Sequence, residues 1–142
     1  MMFDENSHNI FIYHYVEEMM SSFGLYCETN FDKKDLTLNE FTILLRIMFQ
    51  GVATQQDLVK LFKVSDAYIA KLLRKFEDMG YIERNENPEN RRKKIVKLTD
   101  AGIKKTDEYI EIIQSWEDNI TANVSEDEIK TLKEILFKII MI

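Results

Sequence analysis

Residues 64–98 constrain this chain more than any other stretch. Ser65 has the chemistry of a helix cap, and Ile69, Leu72, Leu73, Phe76 and Met79 follow at steps of three and four, the stripe of one helix face that continues to Met79. Gly80 suits a left-handed C-terminal cap. Beyond it, residues 81–84 and 94–98 read as two strands, and the loop 85–93 between them carries Asn87-Pro88 and a basic cluster. Upstream, Thr54 can cap a short helix over residues 55–62 with Leu58, Leu61 and Phe62 facing inward, and Lys63-Val64 leaves room only for a tight turn. Two helices meeting at such a turn, followed by a hairpin with a charged tip, predict a winged helix-turn-helix.

The flanking sequence predicts helices. Four Gly and one Pro in 142 residues leave few turns, so the expected fold is mainly α. In residues 9–26, Ile12, Val16, Met19 and Phe23 form an amphipathic stripe, while Phe11, Tyr15 and Met20 lie off it, so this helix is expected to pack on more than one partner and to end at Gly24 and the polar stretch 28–35. Thr37-Leu-Asn-Glu40 reads as a capping box opening a second helix through Phe49, whose apolar residues surround it and put it at the centre of the core. Thr99 is expected to cap a long helix to about Asn123, with Ile103, Ile110, Ile113 and Ile120 along one side. Ser125-Glu-Asp-Glu128 is a further capping box, and the helix it opens carries Ile129, Leu132, Leu136 and Ile139, joined by Ile135, Ile140, Met141 and Ile142. So much apolar surface on one terminal helix predicts a homodimer in which terminal helices interleave, the alternative being burial within its own subunit. One domain spanning 1–142 is expected, with residues 1–35 and 106–142 forming the dimerisation region and 36–105 the winged helix-turn-helix lobe.

Charge divides the chain in the same way. The net charge is -6, but residues 1–59 and 106–142 each carry -6, while residues 60–105 hold thirteen basic side chains against seven acidic ones, a local +6. A basic middle between acidic ends points to a polyanion, and double-stranded DNA fits the motif. With the apolar face of the second motif helix committed to the core, Asp66, Ala67, Tyr68, Ala70, Lys71, Arg74 and Lys75 are left outward, behind the cap Ser65. Small residues let such a helix approach a major groove, and Tyr68 and Lys71 are long enough to reach base edges or phosphates. On the hairpin, Asn90 precedes four consecutive cations, Arg91, Arg92, Lys93 and Lys94, and a tip arginine suits the negative potential of a narrow minor groove. The plain alternative makes both sets solvated charged surfaces.

Other classes are excluded or disfavoured. No run reaches the roughly 18 apolar residues of a membrane span, mean hydropathy is -0.29, and the first residues lack the basic flank of a signal peptide, so no membrane association and a cytoplasmic setting are expected. A single Cys and two His offer no disulfide framework and no metal-ligand spacing, and neither a nucleophile–base pair nor a glycine-rich phosphate loop is present. The expectation is a chain without cofactor or metal and without enzymatic activity.

These motifs resemble those of the MarR family of dimeric winged-helix transcriptional regulators. The resemblance covers nearly the whole chain and rests on residues 64–82 and 87–102, where an Asn and Arg tip is followed by Val96, Leu98, Thr99 and Gly102, similar to the family's wing motif. It implies a DNA-binding repressor, less often an activator, acting on a palindromic operator and responding to a small ligand or an oxidant. By the resemblance Arg92 is the minor-groove arginine, and Asn90 stands where the family usually has the Asp that orients it. It also implies a small aromatic or phenolic effector, for which Tyr13, His14, Met19, Phe41 and Arg46 are conceivable wall residues, with assignment of the same residues to the core as the alternative. Peroxide sensors of the family place their Cys nearer Tyr13 or His14, so Cys27, with only Lys33 and Lys34 nearby in sequence, is not assigned a redox role. A winged-helix module that binds protein or RNA, suggested by the net charge of -6, is the second functional reading.

Overall fold

The computed structural model describes Phe3, residues 9–31 and residues 35–141. Lys33, Lys34 and Ile142, considered above, lie outside the described residues, as does His8. Six helices and three strands follow in the order α1 (Ile12–Asn30), α2 (Leu38–Gln50), β1 (Ala53–Thr54), α3 (Gln55–Phe62), α4 (Asp66–Asp78), β2 (Ile82–Asn87), β3 (Asn90–Leu98), α5 (Asp100–Ile120) and α6 (Glu126–Ile140). The fold is mainly α, with a winged helix-turn-helix formed by the middle of the chain. Two compact units are formed, one from residues 32–111 and one from residues 1–31 with 112–142.

In the first unit, local chemistry sets where each helix begins. Thr37 and Glu40 close a reciprocal capping box at the start of α2, and Thr54 and Asp57 close another at the start of α3. Ser65 Oγ accepts the Tyr68 N–H at 3.1 Å to begin α4. Between α3 and α4, Lys63 adopts the left-handed conformation at φ 53°, and Gly80 does so at φ 80° after α4. The core gathers Phe41, Leu44 and Ile47 of α2, Leu58 of α3, and Ile69, Leu73 and Phe76 of α4, all almost fully buried. Each side chain of this size removed from water contributes roughly 1.5–3 kcal/mol, which makes α2 the hub of the unit.

The sheet differs from expectation in extent. Its order is β1-β3-β2, all antiparallel, and β1 was not foreseen because two residues, Ala53 and Thr54, are too few to show a period. The hairpin strands run further than residues 81–84 and 94–98: pairing continues from Ile82↔Leu98 to Asn87↔Asn90, so the nine-residue loop reduces to a turn at Pro88-Glu89. The polar and charged residues 85–93 hid the rest of the strands because the tip is largely exposed and no apolar alternation marks it.

The long helix α5 buries a different line from the isoleucines. Gly102, Thr106 and Tyr109 are buried, whereas Ile103 and Ile120 are exposed. A Cβ at position 102 would collide with the Tyr81 carbonyl, so only glycine lets α5 lie this close to the chain entering β2. Thr106 tolerates burial because its hydroxyl lies 2.7 Å from the Ile103 carbonyl oxygen and 3.1 Å from Met48 Sδ.

The second unit is built from α1, the last turns of α5, and α6. The helix α1 starts at Ile12 and passes through Gly24 to Asn30, correcting the expected end at Gly24. Its polar last turn is exposed and so costs no desolvation, and the Asn30 side chain donates to the Tyr26 carbonyl at 2.9 Å. Phe23 meets Trp116 edge to face at 5.1 Å, and the Trp116 indole N–H donates to Ser22 Oγ at 3.1 Å. Ser125 and Glu128 form the capping box of α6. No residue of α6 is buried in the single chain.

Candidate nucleic-acid interface

Burial of Ile69, Leu72, Leu73 and Phe76 fixes the rotation of α4, and the opposite face presents Asp66, Ala67, Tyr68, Lys71, Arg74 and Lys75 to solvent, with Ala70 half-buried. Three of these side chains are held by neighbours. Gln55 Nε2 donates to Asp66 Oδ1 at 3.1 Å, tying the first turns of α3 and α4. Asn39 Nδ2 donates to the Tyr68 hydroxyl at 3.1 Å. Lys75 Nζ stands 2.7 Å from Glu40 Oε2 and 2.9 Å from Oε1, so its charge is paired across to α2. Lys71 and Arg74 make no ion pair among the described residues.

On the wing, Asn90 Oδ1 accepts the backbone N–H of Arg92 at 3.1 Å. Asn90 therefore shapes the main chain of the tip, while Asn87 Oδ1 does the same for Glu89 N–H at 3.0 Å. A register shift at Glu86/Asn87 accompanies these Asx turns. Arg91, Arg92, Lys93 and Lys94 are all exposed. Arg92, Lys93 and Lys94 join Arg84, Asp66 and the Thr54–Gln56 corner around a polar cleft of about 350 Å³. At that corner the Asp57 carboxyl is held below its ordinary range, chiefly by the Thr54 backbone N–H and hydroxyl, with Lys60 and Lys93 adding to the effect.

The five residues considered for an effector are divided. Phe41 is buried in the core of the first unit, tilted against Tyr109 at 5.6 Å with the Lys105 ammonium 5.6 Å from its ring, and Arg46 is exposed on α2. In the second unit, Tyr13 donates to Glu17 at 3.1 Å and His14 stacks on Phe11 at 5.9 Å. Met19 lines an apolar cavity of about 390 Å³ with Val16, Met20, Phe23, Ile113, Trp116, Leu132 and Leu136. Of the residues expected at a dimer interface, Leu132, Leu136 and Ile139 are 46%, 39% and 47% exposed, and Ile129 is half-buried. Cys27 is fully buried.

Asn39 carried no sequence signal for its contact with Tyr68. Glu40 carried one for capping only, and Arg84 was counted among the cations without a place in the cleft. Among the described residues no helix is long and apolar enough to cross a membrane, and no His/Cys/Asp/Glu group could hold a metal ion.

Comparison with known proteins bears on the family and the fold. A model of the MarR family matches residues 36–94. The multiple antibiotic resistance protein MarR of Salmonella typhimurium is 31% identical over 107 residues, 75% of this chain and 74% of that protein. The HTH-type transcriptional regulator BilQ of Clostridium symbiosum is 24% identical over 126 residues, covering 89% of this chain and 88% of its own length. A crystal structure of MarR superposes with a TM-score of 0.76 at 27% identity, covering 98% of this chain and 92% of the other.

Proposed function

This chain belongs to the MarR family, and from that premise we propose that it is a transcriptional regulator that binds a palindromic operator as a homodimer and represses from it. The observation that carries the reading is the segregation of charge: a chain of net charge -6 concentrates +6 in residues 60–105, and the exposed cations of α4 and the wing belong to that stretch. Phosphate contact requires only positive charge within reach, and base readout requires a narrow, well-positioned helix face. The face bearing Ala67, Tyr68, Ala70 and Lys71 supplies the second, with Arg74 and the wing cations Arg91 to Lys94 supplying the first. Ser65 and Asp66 start the helix, and Arg92, set by Asn90, enters the minor groove.

Dimerisation rests on α1 and α6. The exposed Leu132, Leu136 and Ile139, with Ile129, continue an apolar face that a second copy would cover, and a two-fold pair places two α4 helices on one side of a duplex. A small aromatic effector acting on this assembly is part of the same reading, supported by the apolar cavity that includes Met19.

Gel shift on the duplex upstream of the chain's own coding sequence tests the proposal. Binding that is competed by the same duplex and not by a scrambled one, and that weakens steeply with salt, is the expected result. Retention of protein or RNA partners with no duplex binding at low salt would instead support the interaction-module reading that the acidic net charge suggests.

A further inference from the structure

Glu40 occupies an unusual place for a capping residue. Its side chain is only 12% exposed, and both carboxylate oxygens are used: Oε1 accepts the Thr37 N–H at 2.9 Å and faces Lys75 Nζ at 2.9 Å, and Oε2 faces the same ammonium at 2.7 Å. Lys75 comes from the outward face of α4, one turn beyond Lys71, and both line a cleft with Thr37, Glu40, Tyr68 and Leu72. Burial alone would raise the Glu40 carboxyl, but the hydrogen bonds from Lys75 and Thr37 outweigh it and hold the group below its ordinary range, so it is ionised wherever the chain is folded near neutral pH. The Lys75 side chain, although 43% exposed, thus has its ammonium paired with a fixed negative charge.

We infer that Glu40 sets how tightly the chain holds any duplex without touching DNA itself: by holding Lys75 it withdraws one cation from the phosphate-binding set of the recognition helix. This rests on the DNA-binding reading. A phosphate contact adds affinity for every duplex alike, whereas contacts from Tyr68 and Lys71 to base edges add affinity only for the right one. Withdrawing one indiscriminate contact therefore lowers affinity for operator and scrambled duplex by the same factor, leaves their ratio unchanged and makes both less dependent on salt. It also fixes α4 against the first turn of α2, since the ion pair joins residues 35 apart in sequence.

The test is Glu40→Gln, which keeps an acceptor for the Thr37 N–H and so preserves the capping box while cancelling the charge. Binding of the full chain to scrambled duplex should tighten, and the slope of log K against log salt should steepen by about 0.9 for each DNA-bound chain, equivalent to about threefold more loss between 50 and 200 mM salt. Operator binding should tighten by the same factor, leaving discrimination between operator and scrambled duplex unchanged. The double variant Glu40→Gln with Lys75→Gln should return the slope to the wild-type value. Amine acylation of the DNA-free chain, read by mass spectrometry, should modify Lys75 more slowly than Lys71, with the difference lost in Glu40→Gln. An unchanged slope in Glu40→Gln, a double variant as steep as the single, or equal labelling of the two lysines in the wild type overturns this inference alone. Absence of any duplex binding by the wild-type chain at low salt overturns the DNA reading and this inference with it.

Discussion

The side-chain amide of Asn39 holds the hydroxyl of Tyr68 at 3.1 Å, so the first turn of α2 restrains a residue on the exposed face of α4. A long side chain that must meet a base edge loses rotamer entropy on binding, and a neighbour that restrains it beforehand reduces that cost.

Tyr68→Phe and Asn39→Ala should therefore each lower discrimination between operator and scrambled duplex by about three- to tenfold, the worth of one hydrogen bond. The double variant should be no worse than either single one, since both remove the same contact. Fluorescence anisotropy with two labelled duplexes measures all three. Losses that simply add would show that Asn39 and Tyr68 act separately.

The wing yields a second prediction. Asn90→Ala removes the acceptor for the Arg92 N–H and should weaken binding by about threefold or more, whereas Asn90→Asp keeps that acceptor and should bind as the wild type does. Arg92→Ala should lose more affinity on duplexes with AT-rich flanks, whose minor groove is narrow, than on GC-rich ones. Equal losses on both flanks would remove Arg92 from the minor groove.

Much of this arrangement was legible in sequence because it is local. Capping boxes at Thr37 and Ser125 are written within four residues, and the buried stripe Ile69, Leu72, Leu73, Phe76 follows from helical period. What escaped depends on distance in the chain or on the absence of a side chain. The partners of Tyr68 and Lys75 lie 29 and 35 residues away, and nothing in either neighbourhood encodes the pairing. On α5 the buried face is made by Gly102, Thr106 and Tyr109, and a hydrophobic pattern cannot show it because the first has no side chain and the second is polar.

Stability measurements can check that buried face. Gly102→Ala forces a methyl group against the Tyr81 carbonyl and should cost about 1–3 kcal/mol in urea unfolding. Ile103→Ala, at an exposed position, should change stability by no more than about 0.5 kcal/mol. The reverse order would contradict the assignment of the buried face to Gly102.

Acid should destabilise the chain in a defined window. The Glu40 and Asp57 carboxyls have ordinary values of 4.5 and 3.8 and are both lowered in the folded chain, Glu40 against the opposing effect of its burial. The unfolded chain binds these protons more readily, so the stability they add is complete above about pH 6 and is lost as pH falls through the ordinary range to the lowered folded values. Urea midpoints should be flat above that pH and fall below it, with a shallower fall in Glu40→Gln. A midpoint that rises on acidification would contradict the assigned directions.

The terminal helices can be tested by Leu132→Asp with Leu136→Asp. Light scattering should report a monomer or an aggregate, and operator affinity should fall even though neither residue is placed near DNA. A soluble dimer with full affinity would move the interface elsewhere.

Sequencing of duplexes retained by the full chain from a randomised library tests the central claim most directly. The account predicts enrichment of an inverted repeat whose half-site centres lie about one helical turn, roughly 10 bp, apart, with retention lost at high salt. Recovery of duplexes with no common sequence, or of single asymmetric sites held equally at low and high salt, would contradict it.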